Sequence, residues 1–500
     1  MDPTKTGYTR VFLIEGRARS DRVPSYESFM KMMGLDYAFG DVEDIKVPHP
    51  NNYDRFNTIG EIRGEEERPT TSLVGRYAAD LRSTLLRLGK IGCPNDVQLH
   101  IGKCTDASEF DTFTKAVIME SILLTNVGTD DLGALQPDER SLVNETGDIS
   151  AAELYEVLPL LAQEVAKDVV LNEAIDIVYC DLIQCGECDG VSDGCQRAFG
   201  VTLSIGGSAG TPGDVIHTPD GGATWYADDV DTLGADEDPS ALACVGLYIV
   251  VVSNDDCALH YAPKADFNVY TDPAFARVAT GFVPAVGCPN DIWSIGPVAF
   301  VVGDGGYVYL LTDPTAGVTV LDAGAAAGGT QLNAVHALDE NFAVAVGQNG
   351  DVIYTESQTL WTPTNTQPVG IGINLMCVWV KSELEWWVGT DDGRVFITYN
   401  KGETWNLNTF PGSGTGIVWD IGMSTASVVY IAHETAADAG RILRSYNGGN
   451  SWMVVPEGTT AMPANDRIVA IAACTYDANK VIGVGLADLT ADGFVVVLEE

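Results

Sequence analysis

Three segments of the chain follow one eight-residue pattern: Thr218-Pro-Asp-Gly-Gly-Ala-Thr-Trp225, Thr398-Tyr-Asn-Lys-Gly-Glu-Thr-Trp405 and Ser445-Tyr-Asn-Gly-Gly-Asn-Ser-Trp452. Each has a hydroxyl residue first, Asp or Asn third, Gly fifth, a hydroxyl residue seventh and Trp eighth. A short carboxylate or amide can bond the backbone two residues on, and glycine supplies a positive φ. The pattern therefore predicts a tight turn between two strands, anchored on the sheet by the tryptophan.

These turns resemble the Asp-box (BNR) repeat of sialidase-like and photosystem-assembly-factor-like β-propellers. The resemblance implies a fold and leaves the chemistry open. It assigns structural roles to the hydroxyl, acidic or amide, glycine and tryptophan positions of each turn. These residues are Thr218, Asp220, Gly222, Trp225, Thr398, Asn400, Gly402, Trp405, Ser445, Asn447, Gly449 and Trp452.

The strand before each turn recurs along the C-terminal part of the chain. Aligned apolar positions are Val215, Leu259, Val308, Val352, Val395, Ile442 and Phe494, which lie 44, 49, 44, 43, 47 and 52 residues apart. A period of this length is typical of one four-stranded propeller blade per repeat. We predict seven blades, with six as the alternative because the first and last units are incomplete.

Composition divides the chain near residue 200. All nine tryptophans follow that residue, whereas 12 arginines precede it. The formal net charge of −42 is spread over both parts, −16 before residue 200 and −26 after it. Acidic surfaces do not attract nucleic acid, and no apolar run is long enough to span a membrane. We expect neither sequence-specific nucleic-acid binding nor membrane association.

The first part predicts a β-sandwich or barrel with one amphipathic helix. Strand patterns occur at Arg10–Ile14, Asp96–Ile101, Thr114–Leu124 and Val169–Val178, and a helix pattern runs from Arg76 to Leu88. This order resembles the tail-tube (major tail) proteins of long-tailed viruses. The predicted domains are residues 1–185 as the assembly domain, 186–196 as a Cys-rich connector and 197–500 as the propeller.

Four cysteines cluster at the predicted junction: Cys180, Cys185, Cys188 and Cys195. Their spacing permits a four-thiolate zinc site, disulfides, an iron–sulfur cluster or free thiols. Cys93 and Cys104 are expected to pair across a hairpin. The scattered cysteines Cys244, Cys257, Cys288, Cys377 and Cys474 are expected to be small core residues. Apart from zinc at this cluster, no cofactor is expected.

The sequence does not predict an enzyme. Sialidase chemistry requires three converging arginines, and the part after residue 200 contains five: Arg277, Arg394, Arg441, Arg444 and Arg467. Arg394 and Arg441 occupy equivalent repeat positions, which places them on separate blades rather than at one point.

The tail-tube resemblance implies a virion structural protein. It would be assembled in the host cytoplasm, with copies of the chain stacking in hexameric rings and meeting other tail proteins such as the tape measure, and the propeller would decorate the exterior. The alternatives are a soluble Asp-box propeller that acts as a binding or assembly factor, and a carbohydrate-binding virion adhesin that takes a host-surface glycan.

Overall fold

A computed structural model describes the strands of residues 8–179 and most of residues 195–499. In the second range it leaves out 204–212, 231, 234–237, 268–272, 280, 284–286, 324–328, 436–438, 457–465, 476 and 488–492. The described chain is mainly β, as predicted, and forms two compact units, Met1–Pro159 and Leu160–Glu500. Within the described residues, no helix is long and apolar enough to cross a membrane.

The first unit is built from antiparallel strands. They are β1 (Tyr8–Ile14), β2 (Ser25–Tyr26), β3 (Met30–Asp36), β4 (Val42–His49), β5 (Asn52–Arg63), β6 (Thr70–Arg76), β7 (Asn95–Gly102), β8 (Lys115–Asp130), β9 (Asn144–Ser150) and β10 (Glu153–Val157). Eight of them form one sheet in the order β2-β1-β7-β8-β9-β6-β3, with β10 also paired to β8, while β4 and β5 form a separate hairpin.

The strands predicted at Arg10–Ile14 and Asp96–Ile101 lie within β1 and β7, and the strand predicted at Thr114–Leu124 lies within β8 apart from its first residue. The helix predicted from Arg76 falls almost wholly on residues 77–94, outside the described residues, and Arg76 itself ends β6. The strand predicted within Val169–Val178 does not belong to this unit, as the next sheets show. The sandwich with one helix therefore stays a prediction.

The second unit contains seven four-stranded antiparallel sheets, which we call blades 1 to 7. Blades 1 to 3 are β12 (Ala174–Tyr179), β13 (Ala198–Thr202), β14 (Asp214–Thr218) and β15 (Tyr226–Asp229); β16 (Ala241–Val245), β17 (Tyr248–Ser253), β18 (Ala258–Pro263) and β19 (Ala276–Val278); and β20 (Pro289–Ile295), β21 (Val298–Gly303), β22 (Tyr307–Leu311) and β23 (Val318–Ala323).

Blades 4 to 6 are β24 (Leu332–Ala337), β25 (Ala343–Gly347), β26 (Val352–Thr355) and β27 (Trp361–Pro363); β28 (Leu375–Val380), β29 (Trp386–Thr390), β30 (Val395–Thr398) and β31 (Asn406–Asn408); and β32 (Ile417–Met423), β33 (Val429–Glu434), β34 (Gly440–Ser445) and β35 (Met453–Val454). Blade 7 is β36 (Asp466–Ala473), β37 (Val481–Ala487), β38 (Gly493–Glu499) and, outermost, β11 (Leu161–Glu164). Short 3-10 turns lie at Lys264–Asp266, Asp304–Gly306 and Gln348–Gly350.

The blades close into a ring. The first strand of each blade contacts the first strand of the next, and β36 of blade 7 contacts β12 of blade 1. Apolar clusters fill the spaces between adjacent blades; one of them packs Ile177 and Ile216 of blade 1 against Ala470 and Ile482 of blade 7. The second unit is therefore a seven-bladed β-propeller, and the predicted propeller is confirmed.

The domain boundary predicted at residue 185 is wrong. Strand β12 is the first strand of blade 1, and β11 pairs antiparallel with β38 to complete blade 7, so the propeller unit begins at Leu160. Residues 186–196 do not connect two domains, because they lie between β12 and β13, which pair within one blade. The sequence analysis missed β11 and assigned the strand that overlaps β12 to the first domain, because the repeated turn follows the third strand of a blade and marks neither of them.

Candidate functional site

A cavity of about 630 Å³ lies at the centre of the propeller. Residues from the first strands of all seven blades line it, among them the indoles of Trp293, Trp379 and Trp419. A cavity of this size and mixed polarity is within the range that small ligands and side chains of partners occupy. It is the candidate site, and the sequence interpretation did not identify it.

Three aspartates occupy the same position in the first strands of blades 1, 3 and 6. Asp176, Asp291 and Asp420 each come directly after an irregularity in strand pairing, line the cavity and remain partly exposed. An isoleucine follows each of them. The irregularity turns the side chain toward the neighbouring blade.

Each aspartate accepts the same two hydrogen bonds, one from its own strand and one from the next blade. Oδ1 accepts from the N–H of the following isoleucine, with N–O distances of 2.8, 2.8 and 2.7 Å for Asp176, Asp291 and Asp420. Oδ2 accepts from a backbone N–H in the first strand of the next blade. These donors are Leu242 at 2.9 Å, Val335 at 2.7 Å and Ile471 at 2.8 Å.

The other blades have no acid at this position. The three donors follow Ala241, Ala334 and Ala470, so alanine is the equivalent residue in blades 2, 4 and 7. Blade 5 has Cys377, a buried free thiol whose Sγ lies 3.9 Å from the carbonyl oxygen of Val418 in blade 6. The seven positions thus carry three aspartates, three alanines and one cysteine.

Burial raises the pKa of all three carboxyls. The pKa of Asp176 rises to about 8, first because of burial and then because of repulsion from Asp291 and Asp420. The pKa values of Asp291 and Asp420 rise to about 6, and the two backbone hydrogen bonds of each partly oppose the effect of burial. Near neutral pH, therefore, Asp176 is mostly protonated while Asp291 and Asp420 are mostly charged.

An aromatic cluster lies beside the cavity. His336 contacts two lining residues, Trp293 and Trp379, with ring centroids 4.1 and 4.3 Å away, and the two indole centroids are 5.7 Å apart. Its Nδ1 accepts from the N–H of Val380 at 3.3 Å, which leaves the proton on Nε2. Within the described residues, neither His336 Nε2 nor Trp293 Nε1 has a hydrogen-bond acceptor. Burial lowers the pKa of His336 to about 3, so this imidazole is neutral.

Amide and carboxylate side chains line the rim of the cavity where the first strands begin. Asn290 donates to Asp304 at 3.1 Å and to the carbonyl of Leu332 at 2.9 Å, and it accepts from Asn254 at 2.8 Å. Gln348 donates to Gln331 at 2.7 Å. These bonds tie the turns of neighbouring blades together and hold the rim in place.

The three motif turns lie away from this cavity, between the third and fourth strands of blades 1, 5 and 6. In each turn the first hydroxyl oxygen accepts from the glycine N–H at 2.9 Å, as Thr218 does from Gly222, Thr398 from Gly402 and Ser445 from Gly449. The three glycines have φ values of 101°, 76° and 85°.

The acidic or amide residue of each turn bonds the backbone further along than expected. Oδ1 of Asp220, Asn400 and Asn447 accepts from the N–H four residues on, at 2.8, 2.9 and 2.9 Å, and not two residues on. The donor is the seventh residue of the motif. In the first and second turns its hydroxyl also bonds the side chain of the third residue, which explains why the pattern has a hydroxyl residue at the seventh position.

The tryptophans of the turns differ in their contacts. Trp225 donates to the carbonyl of Gly222 at 2.9 Å, within its own turn. Trp405 donates to the carbonyl of Thr366 at 3.1 Å, and Trp452 donates to Asn408 of blade 5 at 2.8 Å. The last two therefore join adjacent blades.

The cysteines form bonds that the sequence did not predict. Cys195 of the proposed cluster is disulfide-bonded to Cys474, whereas Cys180, Cys185 and Cys188 lie outside the described residues, as do Cys93 and Cys104. Cys257 is bonded to Cys288, and Cys244 also carries a disulfide. Cys257, Cys288 and Cys474 are buried in the core, as expected. The sequence analysis did not expect them, or Cys244, to be disulfide-bonded, because the folded ring brings together cysteines that are distant along the chain. No group of three or more His, Cys, Asp or Glu in the described part is arranged to hold a metal ion.

The five arginines after residue 200 do not line the cavity. Arg277 bonds Asp256 at 2.7 Å, and Arg394 bonds Asp392 on its own blade at 2.9 Å. Arg444 is buried between the rings of Tyr430 and Tyr446.

One hydrogen-bonded chain has the order of a nucleophile, a base and an acid. Thr232 Oγ1 lies 2.7 Å from His260 Nδ1, and His260 Nε2 lies 3.1 Å from Asp256 Oδ2. His260 is 0% exposed and Asp256 also holds Arg277, so the chain fixes a loop to blade 2 and offers no room for a substrate at the base.

The sequence contains a pattern that could have identified the three aspartates of the cavity. The dipeptide Asp-Ile occurs at the same point within the first strands of blades 1, 3 and 6. An acid among apolar strand residues is unusual unless it has partners, so its recurrence in register with the repeat indicates a shared role.

Searches with family models and among curated proteins find no match. Solved structures do resemble the chain. YCF48 from Cyanidioschyzon merolae has a TM-score of 0.48 and 15% identity, covering 68% of this chain and 98% of that one. YCF48 bound to D1 peptide has a TM-score of 0.48 and 16% identity, covering 69% and 96%. The WD40 propeller domain of Doa1 has a TM-score of 0.46 and 12% identity, covering 68% and 97%. The propeller assignment rests on the seven sheets and their ring contacts, not on these similarities.

Proposed function

We propose that the propeller is a binding module that takes a segment of a partner polypeptide at its central cavity. This is the binding-factor alternative expected from the sequence. The observation that carries it is the cavity of about 630 Å³, lined by all seven first strands and by three indoles. Aromatic side chains dominate the energetics of polypeptide recognition, and the polar rim supplies orientation.

The proposal assigns no catalytic role to the cavity. Sialidase chemistry needs guanidinium groups that converge on a substrate carboxylate, and the arginines of the propeller are engaged on separate blades instead. The carboxyls that line the cavity accept backbone hydrogen bonds, which suits a structural and electrostatic role.

The test is selection of partners followed by blockage of the cavity. A library of random-sequence dodecapeptides is panned on the full chain, and the enriched peptides are titrated by fluorescence anisotropy. Met376 lines the cavity, so Met376→Trp should weaken binding by about tenfold or more through loss of space. Leu360 is 68% exposed on a turn of blade 4, and Leu360→Trp is the matched control. Equal affinity of the two variants would refute the cavity as the site.

A second candidate function concerns the first unit, for which the tail-tube prediction stays a prediction. The observation that favours self-assembly is the β4–β5 hairpin, whose strands of 8 and 12 residues pair with no other described strand. Free strand edges accept strands from other copies. Electron micrographs of the purified chain should show rings or tubes; a uniform monomer at high concentration would remove the virion role. The glycan-binding adhesin is tested by a glycan array.

A further inference from the structure

The central cavity carries negative charge without compensation. Asp176, Asp291 and Asp420 line it, and none of the described lining residues is Lys, Arg or His. Repulsion from the other two carboxyls contributes to the raised pKa of Asp176. Two charged carboxylates in a partly enclosed space favour a cation from outside the chain.

The walls of the cavity suit an organic cation. Trp293, Trp379 and Trp419 present indole surface to the same space as the carboxylates. An ammonium or guanidinium group within about 6 Å of an indole face is attracted by the ring quadrupole, and tryptophan is the best partner for it. A bare metal ion would gain little from these walls.

An unsatisfied N–H group of a lining residue indicates that the ligand also brings an acceptor. Trp293 lines the cavity, and its buried Nε1 has no acceptor among the described residues. An unpaired buried donor is costly, so an uncharged oxygen such as a backbone carbonyl is the fitting partner beside carboxylates.

We propose that the cavity binds a basic polypeptide segment, with a Lys or Arg side chain directed at Asp291 and Asp420 and a backbone carbonyl oxygen accepting from Trp293. The inference rests on the proposed function and adds the chemistry of the partner. The formal net charge of −42 would steer such a segment toward the chain. A simple amine would not supply the carbonyl acceptor for Trp293, and a neutral peptide would not supply the cation for the carboxylates.

The experiment titrates the full chain with three capped peptides of equal length. They are acetyl-(Gly-Gly-Lys) repeats ending in an amide, and the same peptide with Gln or Glu in place of Lys. The Lys peptide should bind about tenfold or more tighter than the Gln peptide, and the Glu peptide should not bind. Indole fluorescence reports occupancy of the cavity.

Two variants locate the charge. Asp291→Ala with Asp420→Ala should reduce affinity for the Lys peptide about tenfold or more, and alanine is the residue that blades 2, 4 and 7 already have at this position. Glu340→Gln removes an exposed charge from a turn of blade 4 and should change affinity less than about twofold. Circular dichroism and thermal unfolding establish that each variant is folded.

The outcomes separate the two proposals. Equal affinities for the Lys and Gln peptides, or equal losses in Asp291→Ala/Asp420→Ala and Glu340→Gln, overturn the basic-segment inference and leave the binding module in place. If the Lys peptide does not bind while library-selected neutral peptides do, the inference falls alone. If no peptide of either kind binds, the proposed function falls with it.

Discussion

At the scale of single residues, the three aspartates that line the cavity, Asp176, Asp291 and Asp420, couple the stability of the propeller to pH. Burial raises the pKa of the Asp176 carboxyl from its ordinary value of 3.8 to about 8 in the folded chain. Between these values the folded state binds more protons than the unfolded state does, so stability falls as pH rises. The depressed pKa values of His336 and His433, about 3 and 4, affect stability only below about pH 6.5.

We therefore expect the free energy of unfolding to fall between pH 6.5 and 8, by at most about 1.4 kcal/mol per pH unit from Asp176. Asp176→Asn should remove most of this slope and leave the smaller part that Asp291 and Asp420 contribute near pH 6.5. It should also lower stability at acidic pH by about 1 to 3 kcal/mol because one hydrogen bond is lost. Asp313→Asn is the control, since hydrogen bonds with Thr315 lower the pKa of that exposed carboxyl. Denaturant unfolding across this pH range measures the free energy of unfolding of each variant. Identical slopes in wild type and Asp176→Asn would contradict the assignment of the pH dependence to Asp176.

The turn glycines give a second prediction at this scale. Gly449 has a φ of 85°, and a Cβ there would collide with the indole of Trp387. Gly414 has the same φ of 85° and open space around the Cβ position. Gly414→Ala should cost about 1 kcal/mol from backbone strain alone, and Gly449→Ala about 1 to 3 kcal/mol more from overpacking. If thermal unfolding shows equal losses of stability in the two variants, the Trp387 indole moves aside without cost and the prediction is wrong.

At the scale of elements, the seam between blades 7 and 1 is held by a disulfide and a shared sheet. Cys195 precedes β13 of blade 1 and Cys474 follows β36 of blade 7, so the bond of sequence separation 279 spans the place where the ring closes. Strand β11 pairs with β38 from Leu161 to Glu164. Both devices join residues that are far apart along the chain.

Removing the seam disulfide with Cys195→Ser and Cys474→Ser should destabilise the propeller by about 2 to 5 kcal/mol. The reductant-induced fall in Tm of the wild type should be larger than that of the double variant, whose remaining response comes from other bridges such as Cys257–Cys288. Cys377→Ser, at a free thiol, should leave the reductant response unchanged. If reduction lowers the Tm of wild type and double variant equally, the seam bond adds no stability.

At the scale of the whole molecule, the charge of −42 opposes compact folding through self-repulsion. Salt shortens the range of this repulsion, with a Debye length of about 30 Å at 0.01 M and about 3 Å at 1 M. We expect the Tm to rise by about 2 °C or more between low salt and 1 M NaCl. A scan in sucrose at matched osmolality is the control, and a flat response to NaCl would contradict the prediction.

The sequence predicted the propeller and its blade number because each third strand carries an apolar residue at a steady period. Val215, Leu259 and Val308 lie in β14, β18 and β22, the third strands of blades 1 to 3. The predicted domain boundary was wrong because neither β11 nor β12 is marked by a turn motif. In addition, β11 belongs to a sheet whose other strands come about three hundred residues later. Nothing local reveals such a pairing.

The candidate site was harder to predict than the fold. Asp291 lies near Val335 only when two blades stand side by side, so its role depends on packing rather than on spacing. The same holds for Cys195, which has local cysteines as candidates but pairs with Cys474. The motif turns could be predicted from the sequence because their hydrogen bonds are local: Thr218 bonds Asp220 and Gly222 within a single turn.

The shared sheet of blade 7 has a consequence for biosynthesis. Strand β11 leaves the ribosome more than three hundred residues before β38, its partner in the ladder. Until translation reaches Gly493–Glu499, six blades can stack as an open arc, but the early strand has nothing to pair with. A nascent chain of this protein therefore leaves β11 without its ladder partner through most of its synthesis, and exposed strand edges of this kind are prone to aggregation.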